Sequence, residues 1–360
     1  MSQVFAMGGG KQIPSATSPK VRDSQMELLR IVAMSMILIH HFVVHASGYN
    51  IIKQGLGLQN AFVYYGVDLF VMLSGYYGIK IRWRSFFSLV LTLVFFSLVN
   101  IIAVVIFPYI FYGEVVAFTF ADLSNAFIKP FKPWWFISCY MMLYMVAPLL
   151  NLGLKAASKV QLRTIVVILV AYMVYGGLIN DATTQAGRGF AAFLMLYVLG
   201  YWIAEENPFR RLSSITLIAI AILSSLVIGT RPWILFTSES VGIGYSTSYI
   251  SVFLLAGAVA IFIVFSRMKI RSRLINAIAT AALGCYLIQD GVFGYGFLYQ
   301  WQLTWCATHP FAESLLMYAT SFVGLWVASW VLTRFKNLWA PRLIDAVYRV
   351  LPQRWKQAVW

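Results

Sequence analysis

Ten apolar runs dominate this chain, at roughly 28–46, 61–79, 86–109, 134–150, 164–179, 189–204, 212–229, 247–265, 276–293 and 311–333. Each is about 17–25 residues, the fifth and sixth being the shortest, and so reaches or nearly reaches across about 30 Å of hydrocarbon. Few folds are open to such a chain. Of its 360 residues 61% are hydrophobic and only 11% are charged, with a mean hydropathy of +0.78. An ordinary soluble domain is about 45–50% apolar and about 25% charged, and no globular interior of this size hides so much apolar surface. Soluble enzymes, nucleic-acid-binding domains and disordered chains are excluded. The expectation is an all-α polytopic membrane protein with ten transmembrane helices.

The net charge of +15 would suggest nucleic acid in a soluble protein. Here it reads as topology, because Lys and Arg accumulate in cytoplasmic loops. All but five of the 27 basic residues fall on one set of alternate loops and tails, the exceptions being Lys53, Lys129, Lys132, Arg188 and Arg231. Ten spans with both termini cytoplasmic follow, since an error of one span would scramble that asymmetry. No internal repeat of the kind found in many transporters is visible. Cys139, Cys285 and Cys306 are too scattered for a disulfide framework or a metal site.

Three segments are expected. Residues 1–25, rich in Gly, Ser and Pro, read as a disordered cytoplasmic tail without a cleavable signal peptide. Residues 26–335 form the ten-span membrane domain. Residues 336–360 read as an interfacial amphipathic cytoplasmic tail: Trp339, Leu343, Val347 and Leu351 recur every four residues among basic side chains, with Pro341 opening and Pro352 closing a short helix.

Ionisable groups inside spans are costly and are functional candidates. In the first span, ELLRIVAMSMILIHHFVVHA, Arg30 and His41 lie eleven residues apart. Eleven steps return to within about 20° of one helix face, about 16 Å along the axis. Arg30 falls near the cytoplasmic end and His41 in the outer part of the span, whereas His40 points elsewhere and His45 lies near the outer interface. Asp68 in GVDLFVMLSGY and Asp290 in LGCYLIQD reach the same outer level as His41. A carboxylate there can orient a histidine acting as general base. The packing alternatives are a snorkelling Arg30, an interhelical hydrogen bond at His41 and a buried ion pair.

The basic clusters Lys80, Arg82, Arg84 and Arg267, Lys269, Arg271, Arg273 suit a phosphate-rich ligand, since guanidinium forks bind phosphate bidentately, though topology alone also explains them. Outer-side aromatics, Trp134, Trp135, Trp233, Tyr245, Tyr295, Trp301 and Trp305, form an aromatic belt from which a few rings could stack on sugars.

In order along residues 26–335, the Arg30…His41 pair in a span opening ELLR, then GVDLFVMLSGY, WWFISCYMMLYMVAPLL and LGCYLIQD resemble the bacterial acyltransferase 3 family. The resemblance implies a ten-span enzyme of the bacterial cytoplasmic (inner) membrane. It would move an acyl group, usually acetyl, from cytoplasmic acyl-CoA to a hydroxyl of a surface or secreted polysaccharide or its lipid-linked precursor. It further implies catalytic roles for His41 as base, Arg30 at the donor and Asp68 orienting His41. Arg82, Arg84, Arg271 and Arg273 would hold the nucleotide end of acetyl-CoA, with Gln289, Asp290 and Ser74 in support. Acyl-CoA, the glycan or lipid-linked glycan and membrane lipids are the implied partners, with neither metal nor nucleic acid.

Two departures stand out. Many members continue the ninth-span motif as YLIH, whereas Gln289 stands here and cannot shuttle a proton. The family's paired arginines after the second span are here the closely spaced Arg82 and Arg84. The rival class is a transporter or flippase of glycan intermediates, which would use intramembrane charges but no CoA. A non-enzymatic scaffold leaves the cost of Arg30, His41, Asp68 and Asp290 unexplained.

Overall fold

The computed structural model describes residues 23–46, 57–117, 119–120, 124, 134–178, 184–229 and 249–353. Among them there is helix and no strand. Helix α1 (Ser24–His41) continues into a π-helical turn, Phe42–Ala46. It starts at Ser24, two residues inside the expected tail, and residues 1–22 lie outside the described chain. A turn at 64–65 separates α2 (Gly57–Val63) from α3 (Gly66–Tyr77). Then come α4 (Trp83–Tyr112), α5 (Trp135–Ala156), α6 (Lys159–Leu178), a 3-10 turn at Gln185–Gly187, α7 (Phe190–Glu206), α8 (Ser214–Gly229) and α9 (Val252–Arg267). The chain closes with α10 (Arg273–Ala279), α11 (Ala282–Gln289), a second π turn (Gly294–Leu298), α12 (Tyr299–Thr308) and α13 (Phe311–Val350).

Helix underlies the described part of every apolar run. Among the described residues, five helical stretches are long and apolar enough to cross a bilayer alone: Ser24–Ala46, Trp83–Tyr112, Trp135–Ala156, Lys159–Gly177 and Phe311–Val350. The pair Arg273–Gln289 and Gly294–Thr308 makes a further crossing length bent by 60°. Local chemistry sets several of these ends. Ser251 and Ser272 accept from the backbone N–H of Leu254 and Ile275, capping α9 and α10. Asn207 in a left-handed conformation ends α7.

The surface is apolar where a soluble protein would be polar. Ile102, Tyr109 and Ile110 on α4, Val167 and Ile168 on α6, and Leu316, Val323 and Val331 on α13 are all exposed. The interior in turn holds Asp68, Asn100, Gln289, Asp290 and Gln302. This inversion suits a hydrocarbon solvent, where outward apolar side chains cost nothing and polar ones need internal partners.

Helices α1, α3, α7 and α11 lie at the centre, and α3 packs most extensively on α7. Two glycines explain that contact. A Cβ on Gly75 would run into the Tyr197 carbonyl, and one on Gly200 would run into the Met72 carbonyl. The two backbones therefore touch reciprocally, as small residues allow between membrane helices. Further out, Ser24 and Ser272 bind each other's backbone or side chain, which ties the start of α1 to the start of α10.

The carboxyl-terminal part differs from expectation. No helix begins at Pro341: α13 runs through it to Val350, so the expected boundary at 335/336 falls inside one helix. Lys336, expected among solvated tail cations, is buried, and its Nζ donates to Thr92 Oγ1 at 2.7 Å. Trp339 packs on Phe95 with ring centroids 6.0 Å apart. Proline removes only the bond to the Asn337 carbonyl, and contacts with α4 hold the helix on both sides of it. Residues 354–360 lie outside the described chain.

Adding a methyl group at the α3–α7 contact should separate the backbones. We expect Gly75→Ala and Gly200→Ala each to destabilise the detergent-solubilised protein by about 1–3 kcal/mol, measured by thermal unfolding. Gly324→Ala, where nothing lies within 4 Å, should not.

Candidate active site

One face of α1 carries both Arg30 and His41, and both line a cavity of about 560 Å³. Its walls come from α1 (Met34, Ile37), α3 (Val67, Phe70, Leu73, Ser74), α4 (Ser85, Leu89), α5 (Trp135, Phe136, Tyr140, Tyr144) and the α10–α11 segment (Ala279, Thr280, Leu283, Tyr286). Tyr77, Gly78, Ile79 and Lys80 line it at the end where α3 stops. The cavity thus joins a cationic end, with Arg30 and Lys80, to a histidine end ringed by Trp135, Phe136 and Tyr286.

The cationic end is held by a buried network. Gly78, at φ 68°, turns the chain out of α3. The Ile79 N–H donates to the Tyr197 hydroxyl at 2.9 Å, Tyr197 donates to Asn151 Oδ1 at 2.7 Å, and Asn151 Nδ2 returns to the Ile79 carbonyl at 2.8 Å. This closed ring fixes the connection that presents Lys80. Arg30 pairs with Glu27 one turn back, and Ser74 Oγ donates to the Phe70 carbonyl at 3.2 Å.

At the other end His41 is nearly covered, and its Nδ1 stands 3.9 Å from Asp290 Oδ1. Asp290 accepts from the Tyr286 hydroxyl at 2.6 Å and from the Tyr295 hydroxyl at 2.8 Å. Two donors thus hold the carboxylate facing the imidazole. The Asp290 position depends on a helix break, since α11 ends at Gln289 and the chain re-enters helix in a π turn. A break in an apolar medium frees backbone groups that need partners, and Asn100 of α4 supplies them. Its Nδ2 donates to the Leu287 carbonyl at 2.9 Å, and its Oδ1 accepts from the Phe293 N–H at 3.2 Å.

Asp68 corrects the sequence reading. It is fully buried on α3, but among the described residues neither carboxylate oxygen has a hydrogen-bond partner, and the carboxylate that faces His41, at 3.9 Å and without a hydrogen bond, is Asp290. Equal depth in the membrane did not bring Asp68 to the histidine, because α3 turns that position away from the cavity: Val67, Phe70, Leu73 and Ser74 line it and Asp68 does not. Gln289, standing where relatives carry histidine, ties α11 to α1 by donating to the Leu38 carbonyl at 3.1 Å.

The neighbouring histidines differ in kind. His40 Nδ1 is bonded to Asn60 Oδ1 at 2.7 Å, and its ring meets Tyr64 edge-on. His45 sits in the π turn after α1, a feature frequent at functional sites. Its ring lies 5.5 Å from His41 and 5.1 Å from both Tyr295 and Tyr299.

The four arginines expected to hold the nucleotide do not line the cavity. Arg84 is engaged by α13: its guanidinium lies 2.8 Å from Asp345 and 4.6 Å over the Tyr348 ring. The sequence hid this pair because the last apolar run ends at 333 and Pro341 reads as the opening of a separate short helix. Arg82 stands just before α4, and Arg271 and Arg273 flank Ser272, which is tied to Ser24. Of the basic cluster Lys80, Arg82 and Arg84 only Lys80 lines the cavity; Tyr140 and Tyr144 line it too, without having been singled out, and the aromatic residues of the fourth apolar run were the available signal. Among the described residues no group of three or more His, Cys, Asp or Glu is arranged to hold a metal ion, and all three cysteines are free.

A family model described as an acyltransferase domain matches residues 23–334. The chain belongs to the acyltransferase 3 family. No curated protein and no solved structure gave a match. With its apolar helices, the chain is a multi-pass membrane acyltransferase, and its family requires an acyl donor and an acceptor. In this acyltransferase the family match covers α1 and α11, which carry His41 and Asp290, together with the cavity between them.

Asn100 should matter for stability although it does not line this cavity. We expect Asn100→Leu to lower stability by about 1–3 kcal/mol, because the Leu287 carbonyl and Phe293 N–H lose their partner in an apolar medium. Thermal unfolding of the purified protein in detergent measures it.

Proposed function

We propose that this acyltransferase moves a short acyl group, acetyl first among them, from cytoplasmic acyl-CoA to a hydroxyl of a surface or secreted polysaccharide or its lipid-linked precursor. The observation that carries the reading is the cavity running from Arg30 and Lys80 to His41, with Asp290 behind the imidazole. A donor with an anionic head and a long uncharged arm fits a passage that is cationic at one end and walled by Phe70, Leu73, Leu89 and Tyr140 beyond it.

In this reading the phosphates of the donor rest at Arg30 and Lys80, with Arg82, Arg271 and Arg273 on the connections nearby, and the thioester lies beside His41. His41 takes the proton of the acceptor hydroxyl as the oxygen bonds to the thioester carbonyl carbon. The tetrahedral intermediate then breaks its carbon–sulfur bond, and the departing thiolate takes the proton from the imidazolium. Asp290, facing Nδ1 at 3.9 Å, offsets the imidazolium charge as it forms, the part first expected of Asp68. Ser74 and Gln289 support the wall and the helix contact. The reading also carries ten crossings in a bacterial inner membrane with both termini cytoplasmic. The one-sided distribution of Lys and Arg supports it, and residues 336–360 then stay at the cytoplasmic surface.

Transfer of radiolabel from acetyl-CoA to endogenous glycan in membrane vesicles tests the base. His41→Ala should lose about 10²–10⁴-fold in rate at normal protein abundance. Asp290→Asn should fall between His41→Ala and wild type, while His40→Ala keeps most activity because its ring is spent on Asn60. Normal turnover in His41→Ala would overturn the assignment, and glycan movement without covalent label would turn the reading towards a flippase.

The donor end has its own test. Arg30→Gln combined with Lys80→Gln should raise the Michaelis constant for acetyl-CoA about tenfold or more, from lost charge-assisted phosphate contacts, and leave that for the glycan unchanged. An effect confined to the glycan constant would place the donor elsewhere.

A further inference from the structure

Arg188 has no part in the chemistry above, yet its loop is built with unusual care. Gln185 and Ala186, neither of them glycine, hold left-handed backbone at φ 47° and 51°, and Gly187 follows at φ 82°. Such conformations persist only where the surroundings over-determine them, and they cluster at binding and catalytic sites. Here the surroundings belong to the histidine end. The Tyr249 N–H donates to the Ala186 carbonyl at 3.0 Å, and a Cβ on Gly187 would meet Tyr249 Cβ at 2.6 Å. The Tyr249 ring stacks on Tyr64 at 4.9 Å, and Tyr64 meets His40 edge-on at 4.8 Å. On the other flank Cys139 Sγ donates to the Arg188 carbonyl at 3.5 Å.

The backbone is thus clamped while the Arg188 side chain is exposed. Among the described residues no carboxylate pairs with it. The segment that carries it is joined to His40 through Tyr249 and Tyr64. Arg188 is also the described member of the five basic residues on the side of the chain opposite the donor. A solvent-facing guanidinium on a clamped backbone, in a segment packed through Tyr249 and Tyr64 onto the histidine end, is suited to recognising an anion.

We propose that Arg188 recognises an anionic group of the acceptor, so that the acylated hydroxyl belongs to an acidic glycan or to one still joined to its lipid phosphate. The inference rests on the acyltransfer reading. Both sources offer the same chemistry, an oxyanion within reach of a guanidinium fork while the hydroxyl meets His41.

The test uses full-length protein in membranes with endogenous acceptor and radiolabelled acetyl-CoA. The labelled glycan should bind an anion-exchange resin. Charge that survives mild acid hydrolysis and disappears on carbodiimide reduction identifies a carboxylate; charge lost with the lipid on mild acid identifies the phosphate. In acceptor titrations Arg188→Ala should raise the acceptor Michaelis constant about tenfold to a hundredfold, leaving kcat and the donor constant near wild type, and Arg188→Lys should recover part of the loss. A neutral labelled product overturns the proposal. So does a fall in kcat or abundance without change in the acceptor constant, which is what a purely structural arginine gives. Asp181→Asn is the control for a loop ion pair: if it reproduces the Arg188→Ala pattern, the guanidinium serves that pair and the proposal fails. No label at all from wild type overturns the acyltransfer reading itself, and the inference with it.

Discussion

Helices in hydrocarbon are not drawn together by an apolar driving force, because lipid tails are as apolar as their own side chains. This molecule therefore depends on backbone contact between α3 and α7 at Gly75 and Gly200. That contact sets one wall of the cavity. Val67, Phe70, Leu73 and Ser74 face the cavity from α3, and Tyr197 of α7 organises the hydrogen-bonded turn that presents Lys80. The glycines do not line the cavity, but the spacing between α1 and the opposite wall follows from how closely α3 can approach α7.

A second constraint concerns broken helices. Asp290 meets His41 because α11 stops at Gln289 and the chain bends before the π turn. Water would satisfy the freed backbone groups of such a break in a soluble protein. Here Asn100 does so from a third helix, and Gln289 ties the same segment to α1. Asp290 is in turn fixed by Tyr286 and Tyr295, one on each side of the break. Structural polar groups and the candidate catalytic carboxylate thus form one set of contacts, and the irregular backbone is what permits it.

Much of this was legible in the sequence. The apolar runs foretold helices at the observed positions, since run length and uniform hydrophobicity are properties of each segment by itself. Arg30 and His41 were placed on one face of α1 by helical periodicity alone, and the cavity follows that face. Carboxylate depth could be counted from span ends, but rotation about the helix axis could not, and so Asp68 and Asp290 looked equivalent. The sequence likewise gave no sign that α13 continues past Pro341. That continuation brings Asp345 to Arg84 and buries Lys336 against Thr92, which takes Arg84 from the solvent-facing cations available to a phosphate ligand.

Composition, periodicity and the ordered motifs by themselves determined a helical membrane chain, its family and the pairing of Arg30 with His41 on one helix, because each is a one-dimensional property of the chain. Only the tertiary structure decided that Asp290 rather than Asp68 stands behind His41, that Asn100 sustains the break beside it and that Arg188 belongs to the histidine end. These are relations between helices distant in sequence. They are fixed by which face each helix turns inward and by where backbones can touch, and neither quantity is written in any one segment.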